Sequence, residues 1–161
     1  MSASRRDLVL GAAAATLALA GPAAAKTSSD ADAVARLLGF ERRLEAAYQA
    51  ALARDAIDPA LGRRLLGHER EHVRGLEQAL DDLGRAGPRA TAPAPTVGIA
   101  FDSRRGFATS ALELERQAVD AYRNVLTGFR DDNLLQPLGS IMACGAQHEV
   151  ALRQALGVHL L

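Results

Sequence analysis

Tryptophan is absent, cysteine occurs once, and aromatic residues make up only 4% of the 161-residue chain. The single cysteine, Cys144, excludes an intrachain disulfide, so any export of this protein does not serve oxidative folding. An excess of basic charge is missing as well. Lys+Arg and Asp+Glu both number 19, and nothing in that balance points to nucleic acid as a partner. What the chain does contain is abundant Ala, Leu, Arg and Glu, which is helix-forming composition. Its length suits one domain.

The first 25 residues read as a targeting segment. Ser4-Arg5-Arg6-Asp7-Leu8-Val9-Leu10 resembles the twin-arginine export signature, and Leu8 to Ala20 is apolar apart from Thr16. That stretch has the length of a signal core and falls short of the roughly 20 residues that span a bilayer. Ala23-Ala24-Ala25 follows Pro22 as a small-residue cleavage site, which would leave Lys26 as the new N-terminus. No cysteine follows to carry a lipid, so no stable membrane anchor is expected. The expectation is passage through the twin-arginine translocase to a periplasmic or extracellular location. That route carries folded proteins, often with a cofactor already inserted.

The remaining chain, 26–161, divides into four helical stretches at about 30–54, 59–84, 103–129 and 133–157. Ser28-Ser29-Asp30 supplies N-caps for the first, whose Leu37, Leu44, Tyr48 and Ala51 recur at helical spacing. Asp58-Pro59 is a cap followed by Pro at the first helical position. Leu61, Leu65, His72, Leu76 and Leu83 then line one face, and Gly84 and Gly87 stop the helix. The segment 85–102 carries Pro88, Pro93 and Pro95 and reads as an extended crossover. Asp102 or Ser103 opens the third helix, with Phe107, Leu112, Tyr122, Val125 and Phe129 in or beside its stripe. Asp131-Asp132-Asn133 opens the fourth, where Pro137 is tolerated in the first turn and Leu138, Ile141, His148, Leu152 and Leu156 face inward. Connections in the order short, long, short give two antiparallel hairpins joined by one crossover, with helices two and three free to run parallel.

The two hairpins resemble each other. Phe40-Glu41-Arg42 leading to Ala47-Tyr48 lies over Leu114-Glu115-Arg116 leading to Ala121-Tyr122. In the second helix of each, His72 lies over His148, Leu76 over Leu152, and Gln78-Ala79-Leu80 over Gln154-Ala155-Leu156. Glu41 shares its seam with Leu37, Leu44 and Tyr48, and Glu115 shares its face with Leu112, Tyr122 and Phe129. Both carboxylates therefore face the core. Glu69 and His72, three residues apart, point the same way and can reach one ion. A lone core-facing Glu usually reaches for solvent, but where three carboxylates and two imidazoles converge at one height the carboxylates repel one another unless a metal binds them. A mixed oxygen and nitrogen set suits iron, manganese or zinc and does not suit soft Cu(I).

This pattern resembles the ferritin-like di-metal carboxylate superfamily of four-helix bundles, which places a Glu on helices one and three and Glu-x-x-His on helices two and four. The resemblance covers about residues 29–157 and is nearest to small exported bacterial ferritin-like domains of undescribed activity. It implies metal ligands at Glu41, Glu69, His72, Glu115 and His148, with Tyr48 and Tyr122 hydrogen-bonding to ligand carboxylates from behind. It also implies one or two iron or manganese ions per chain. The sequence departs from the pattern at Gly145, where the second Glu-x-x-His would carry its Glu. Three outcomes stay open: a single-ion site on Glu41, Glu69 and His72; a weaker second ion through Glu115, His148 and a bridging Glu69; or a site whose polar residues satisfy one another. Cys144 is either near the gap or a small core residue, and Glu149 points about 100° away from His148. His68 and His159 read as surface residues. If catalytic, the protein would oxidise metal with O2 or peroxide. The alternative is a bundle without chemistry that binds a partner or assembles into a homo-oligomer.

Overall fold

The computed structural model describes the backbone over residues 22–85 and 94–158 and side chains from Ser29 onward. Most of the expected signal segment, crossover residues 86–93 and His159 lie outside the described residues. Four α-helices make up the fold: α1 (Pro22–Ala53), α2 (Pro59–Asp82), α3 (Arg104–Leu126) and α4 (Leu135–Ala155), with a short 3-10 turn, Asp132–Leu134, leading into α4. Among the described residues no helix is long and apolar enough to cross a membrane.

Three helix limits differ from the expectation. α1 starts at Pro22 and not near residue 30, because Pro is at home in a first helical turn and Ala23-Ala24-Ala25 are the strongest of helix formers. Asp30 is consequently not a cap of its own helix. It is 3% exposed, and its carboxylate accepts the backbone N–H groups of Arg130 (3.2 Å) and Asp131 (3.0 Å) in the α3–α4 connection. α3 stops at Leu126, where Thr127 and the weak helix former Gly128 follow, so Phe129 packs on the core from the loop and not from the stripe. α4 begins only after the 3-10 turn, and its Pro137 sits in the first turn, where no helical hydrogen bond is lost. The expected caps of α2 and α3 are in place. Asp58 accepts from the N–H groups of Ala60 (3.0 Å) and Leu61 (2.9 Å), and Ser103 Oγ accepts from Gly106 (3.0 Å).

End contacts fix the helix directions. Arg104 at the start of α3 reaches the Asp55 carbonyl at the far end of α1 (3.3 Å), while the loop after α3 returns to Asp30 near its beginning. α3 therefore runs antiparallel to α1 and parallel to α2, and the crossover spans the length of the bundle. α1 packs along α2 and α3 along α4. The two hairpins meet mainly through α1 and α3, with α2 and α4 forming a narrower seam.

The core is split into two apolar layers. Leu44, Tyr48, Leu65, Phe107 and Leu152 fill one; Leu37, Leu76, Leu80, Tyr122 and Leu138 fill the other. Each buried Leu or Phe contributes about 1.5–3 kcal/mol through removal from water, and together these layers offset the cost of what lies between them. That middle is polar: Glu41, Glu69, Glu115 and His148 are each at most 2% exposed.

Candidate metal centre

Each helix contributes to the polar middle at the point where its stripe passes between the apolar layers. Glu41 comes one turn after Leu37 on α1, Glu69 one turn after Leu65 on α2, and Glu115 beside Leu114 on α3. His148 stands one turn before Leu152 on α4. The helical period, not a loop, places all of them.

Glu69 is the centre of the cluster. Its Oε1 lies 2.9 Å from His148 Nδ1 and its Oε2 lies 3.4 Å from His72 Nδ1, so one oxygen is turned toward each hairpin's imidazole. Neither oxygen is in hydrogen-bonding geometry with any partner, although the side chain is fully buried. The imidazoles are aligned elsewhere. His72 Nδ1 bonds Glu41 Oε2 at 3.2 Å, and His148 Nδ1 bonds Glu115 Oε1 at 3.2 Å. Tyr48 Oη donates to Glu115 Oε1 at 2.6 Å across the hairpin boundary. Tyr122, its repeat counterpart, lines the pocket beside Glu41, but its buried hydroxyl has no hydrogen-bond partner.

Two sets of three ligand atoms therefore converge and share Glu69: Glu41, Glu69 and His72, then Glu69, Glu115 and His148. A cavity of about 10 Å³ touches Glu41, Glu69, His72, Glu115 and Gly145. It has room for a species the size of one water.

The charges explain how the cluster is held together. Burial pushes the Glu41 carboxyl up to about 7, a rise that the bond from His72 only partly opposes. Burial disfavours the His72 and His148 imidazolium forms. The Cys144 thiol and the carboxylates outweigh it and hold them up at about 11 and about 12. Glu69 is likewise penalised by burial, but facing both imidazoles leaves it below its ordinary value. Burial, then the neighbouring carboxylates, keep both tyrosines as neutral phenols. Two imidazolium ions thus neutralise much of the buried negative charge, as a bound cation would.

At Gly145, a Cβ built on the backbone lies 3.1 Å from Val119 Cγ2 and 3.7 Å from Glu115 Oε2. Position 145 thus faces the centre, at the place where the repeat puts Glu69 in the first hairpin.

His68 departs from its expected place, and Cys144 takes the first of its two expected places, beside the gap. His68 is not a surface residue: it is half-buried, its ring stacks on that of His148 (centroids 5.2 Å apart, planes 9° apart), and its Nδ1 lies 2.9 Å from His148 Nε2. Burial, followed by the neighbouring His148, lowers its pKa. Cys144 Sγ lies 3.4 Å from His148 Nε2, and the imidazoles of His148 and His72 bring the thiol down to about 7. The signal was present in the repeat, since the register that sets His72 over His148 also sets His68 over Cys144.

Comparison with known proteins agrees with the four-helix fold. No curated protein matches the chain. A crystal structure of a conserved hypothetical protein, rv2844, from Mycobacterium tuberculosis has the same fold. It superimposes with a TM-score of 0.73 at 19% identity, covering 84% of this chain and 96% of that one. The ferritin-like domain family matches residues 29–158, and with nearly the whole bundle inside that match, this chain is a member of the ferritin-like domain family.

Proposed function

We propose that this is an exported metal-binding protein that holds iron or manganese between its four helices and oxidises metal with O2 or peroxide. The observation that carries the reading is the Glu69 carboxylate, fully buried, without an aligned hydrogen bond among the described residues, and set between the imidazoles of both hairpins. A buried carboxylate is costly unless its charge is compensated, and a cation between two such ligand sets would compensate it in place of the imidazolium protons. Three carboxylates with two imidazoles match the preferences of iron and manganese.

Glu41 and His72 would hold an ion in the first half, Glu115 and His148 one in the second, with Glu69 shared. An ion held there supplies a one-electron couple: two Fe(II) give two electrons to peroxide, which takes up two protons and leaves as two waters. The chain's own groups provide the rest. Tyr48 fixes the Glu115 carboxylate, and the apolar layers exclude bulk water. Arg5-Arg6 and the apolar run behind them support export by the twin-arginine route to a periplasmic or extracellular location.

One observation favours a second reading, a bundle without catalysis that binds a single ion or none. Gly145 removes the second bridging carboxylate. Metal content per chain, measured by inductively coupled plasma mass spectrometry on protein purified without chelators, separates the two. The expected result is one or two iron or manganese per chain, abolished in Glu69→Ala and reduced less in His148→Ala. No metal, and no thermal stabilisation by anaerobic Fe(II) or Mn(II), would leave only the second reading. Equal loss in both variants would point to a symmetric two-ion site.

A further inference from the structure

His148 has two ring nitrogens, and only one of them faces the carboxylates. Nδ1 looks inward to Glu69 and Glu115, whereas Nε2 looks outward to His68 and Cys144. We infer that His68, Cys144 and His148 form a second cation site, joined to the carboxylate centre through the two nitrogens of the His148 ring and selective for a thiophilic ion, zinc above all.

The distances carry the inference. His68 Nδ1 and His148 Nε2 are 2.9 Å apart, Cys144 Sγ is 3.4 Å from His148 Nε2, and it is 3.7 Å from His68 Nδ1. Bonds of about 2.0 Å to nitrogen and 2.3 Å to sulfur in a tetrahedron put two nitrogens about 3.3 Å apart and nitrogen about 3.5 Å from sulfur. The three atoms therefore lie within a few tenths of an ångström of one face of such a tetrahedron, and the two imidazoles, which now meet nitrogen to nitrogen, need to turn toward a common point. All three residues are anchored on helices, and His148 is 2% exposed, so its orientation is fixed by packing. His68 and Cys144 are only half-buried, which leaves the fourth position on the solvent side and lets an ion arrive without crossing the carboxylate centre. One thiolate with two imidazoles suits zinc better than manganese or calcium, whose preferred donors are oxygens. The repeat explains the meeting of these residues. α2 and α4 are antiparallel counterparts, and side chains near a two-fold axis meet their own equivalents, here His68 and Cys144.

The test uses Co(II) as a spectroscopic substitute for zinc on the reduced, full-length chain. One equivalent should give a thiolate-to-cobalt charge-transfer band in the near ultraviolet, and one equivalent of Zn(II) should remove it. His68→Ala should weaken cobalt binding at least tenfold, with helicity checked by circular dichroism. Glu41→Ala, which damages the carboxylate centre, should leave the band intact, so this site and the iron or manganese reading can fail independently. Absence of the band in the unmodified protein, or equal affinity in His68→Ala, would overturn the site.

Discussion

The first hairpin carries a complete Glu, Glu-x-x-His set, and the second carries the same set with glycine in place of one carboxylate. Set side by side, the halves show how a duplicated site divides its labour. Glu69 has taken a place between both imidazoles, and the second hairpin, which lacks its own bridging carboxylate at Gly145, borrows the one from the first. The tyrosines have diverged with the ligands: Tyr48 of the first hairpin holds Glu115 of the second, whereas Tyr122 holds nothing in return. Asymmetry in one ligand has propagated to the residues behind it.

The comparison can be broken most directly by restoring symmetry. Gly145→Glu places a second carboxylate opposite Glu69. It should raise the affinity for a second Mn(II) or Fe(II) at least tenfold in isothermal titration, while lowering the stability of the metal-free fold because another buried charge is added. The 3.1 Å approach of Val119 limits the gain, and Gly145→Glu with Val119→Ala should exceed the single change.

The next test is of protons. Metal ligands must be deprotonated, yet Glu41 is raised to about 7, His72 to about 11 and His148 to about 12. Near neutral pH the metal-free centre therefore still holds these protons, and an ion must release them. Since binding releases protons, affinity rises as pH rises. Mn(II) should bind more tightly at pH 8 than at pH 6, and titration in buffers of different ionisation enthalpy should report release of both imidazolium protons when both halves fill. A pH-independent affinity would mean that the ion avoids these imidazoles.

The smallest effect belongs to the tyrosines. Tyr48→Phe removes a hydrogen bond to a buried carboxylate and should cost about 1.5–3 kcal/mol in urea unfolding of the metal-free protein. Tyr122→Phe removes a hydroxyl without a partner and should be close to neutral, within about 0.5 kcal/mol. Equal costs would show that the tyrosines are equivalent after all.

Much of this was legible in the sequence because helices speak through their period. Four apolar stripes, the caps at Asp58 and Ser103 and the Pro-bearing crossover carried the fold, and the repeat named Glu41, Glu69, His72, Glu115 and His148. What was hidden depends on relations between helices. Nothing local shows that His68, read alone as a solvent-facing residue, stacks on an imidazole of another hairpin. Nor does a local pattern show that Asp30, a plausible cap, binds the backbone of Arg130 and Asp131 instead. The start of α1 moved because alanine extends a helix past a weaker cap signal, whereas Gly128 shortens α3 and a 3-10 turn delays α4.

Of the two ligand sets, Glu41, Glu69 and His72 lie within the first hairpin, while an ion held by Glu69, Glu115 and His148 would tie one hairpin to the other. Loading such a centre would therefore act as a reversible staple between two halves that already share their apolar layers. Each ion bound to the joined form would stabilise it by mass action, in proportion to the logarithm of metal concentration over Kd. The bundle's resistance to unfolding would then report how much metal surrounds it.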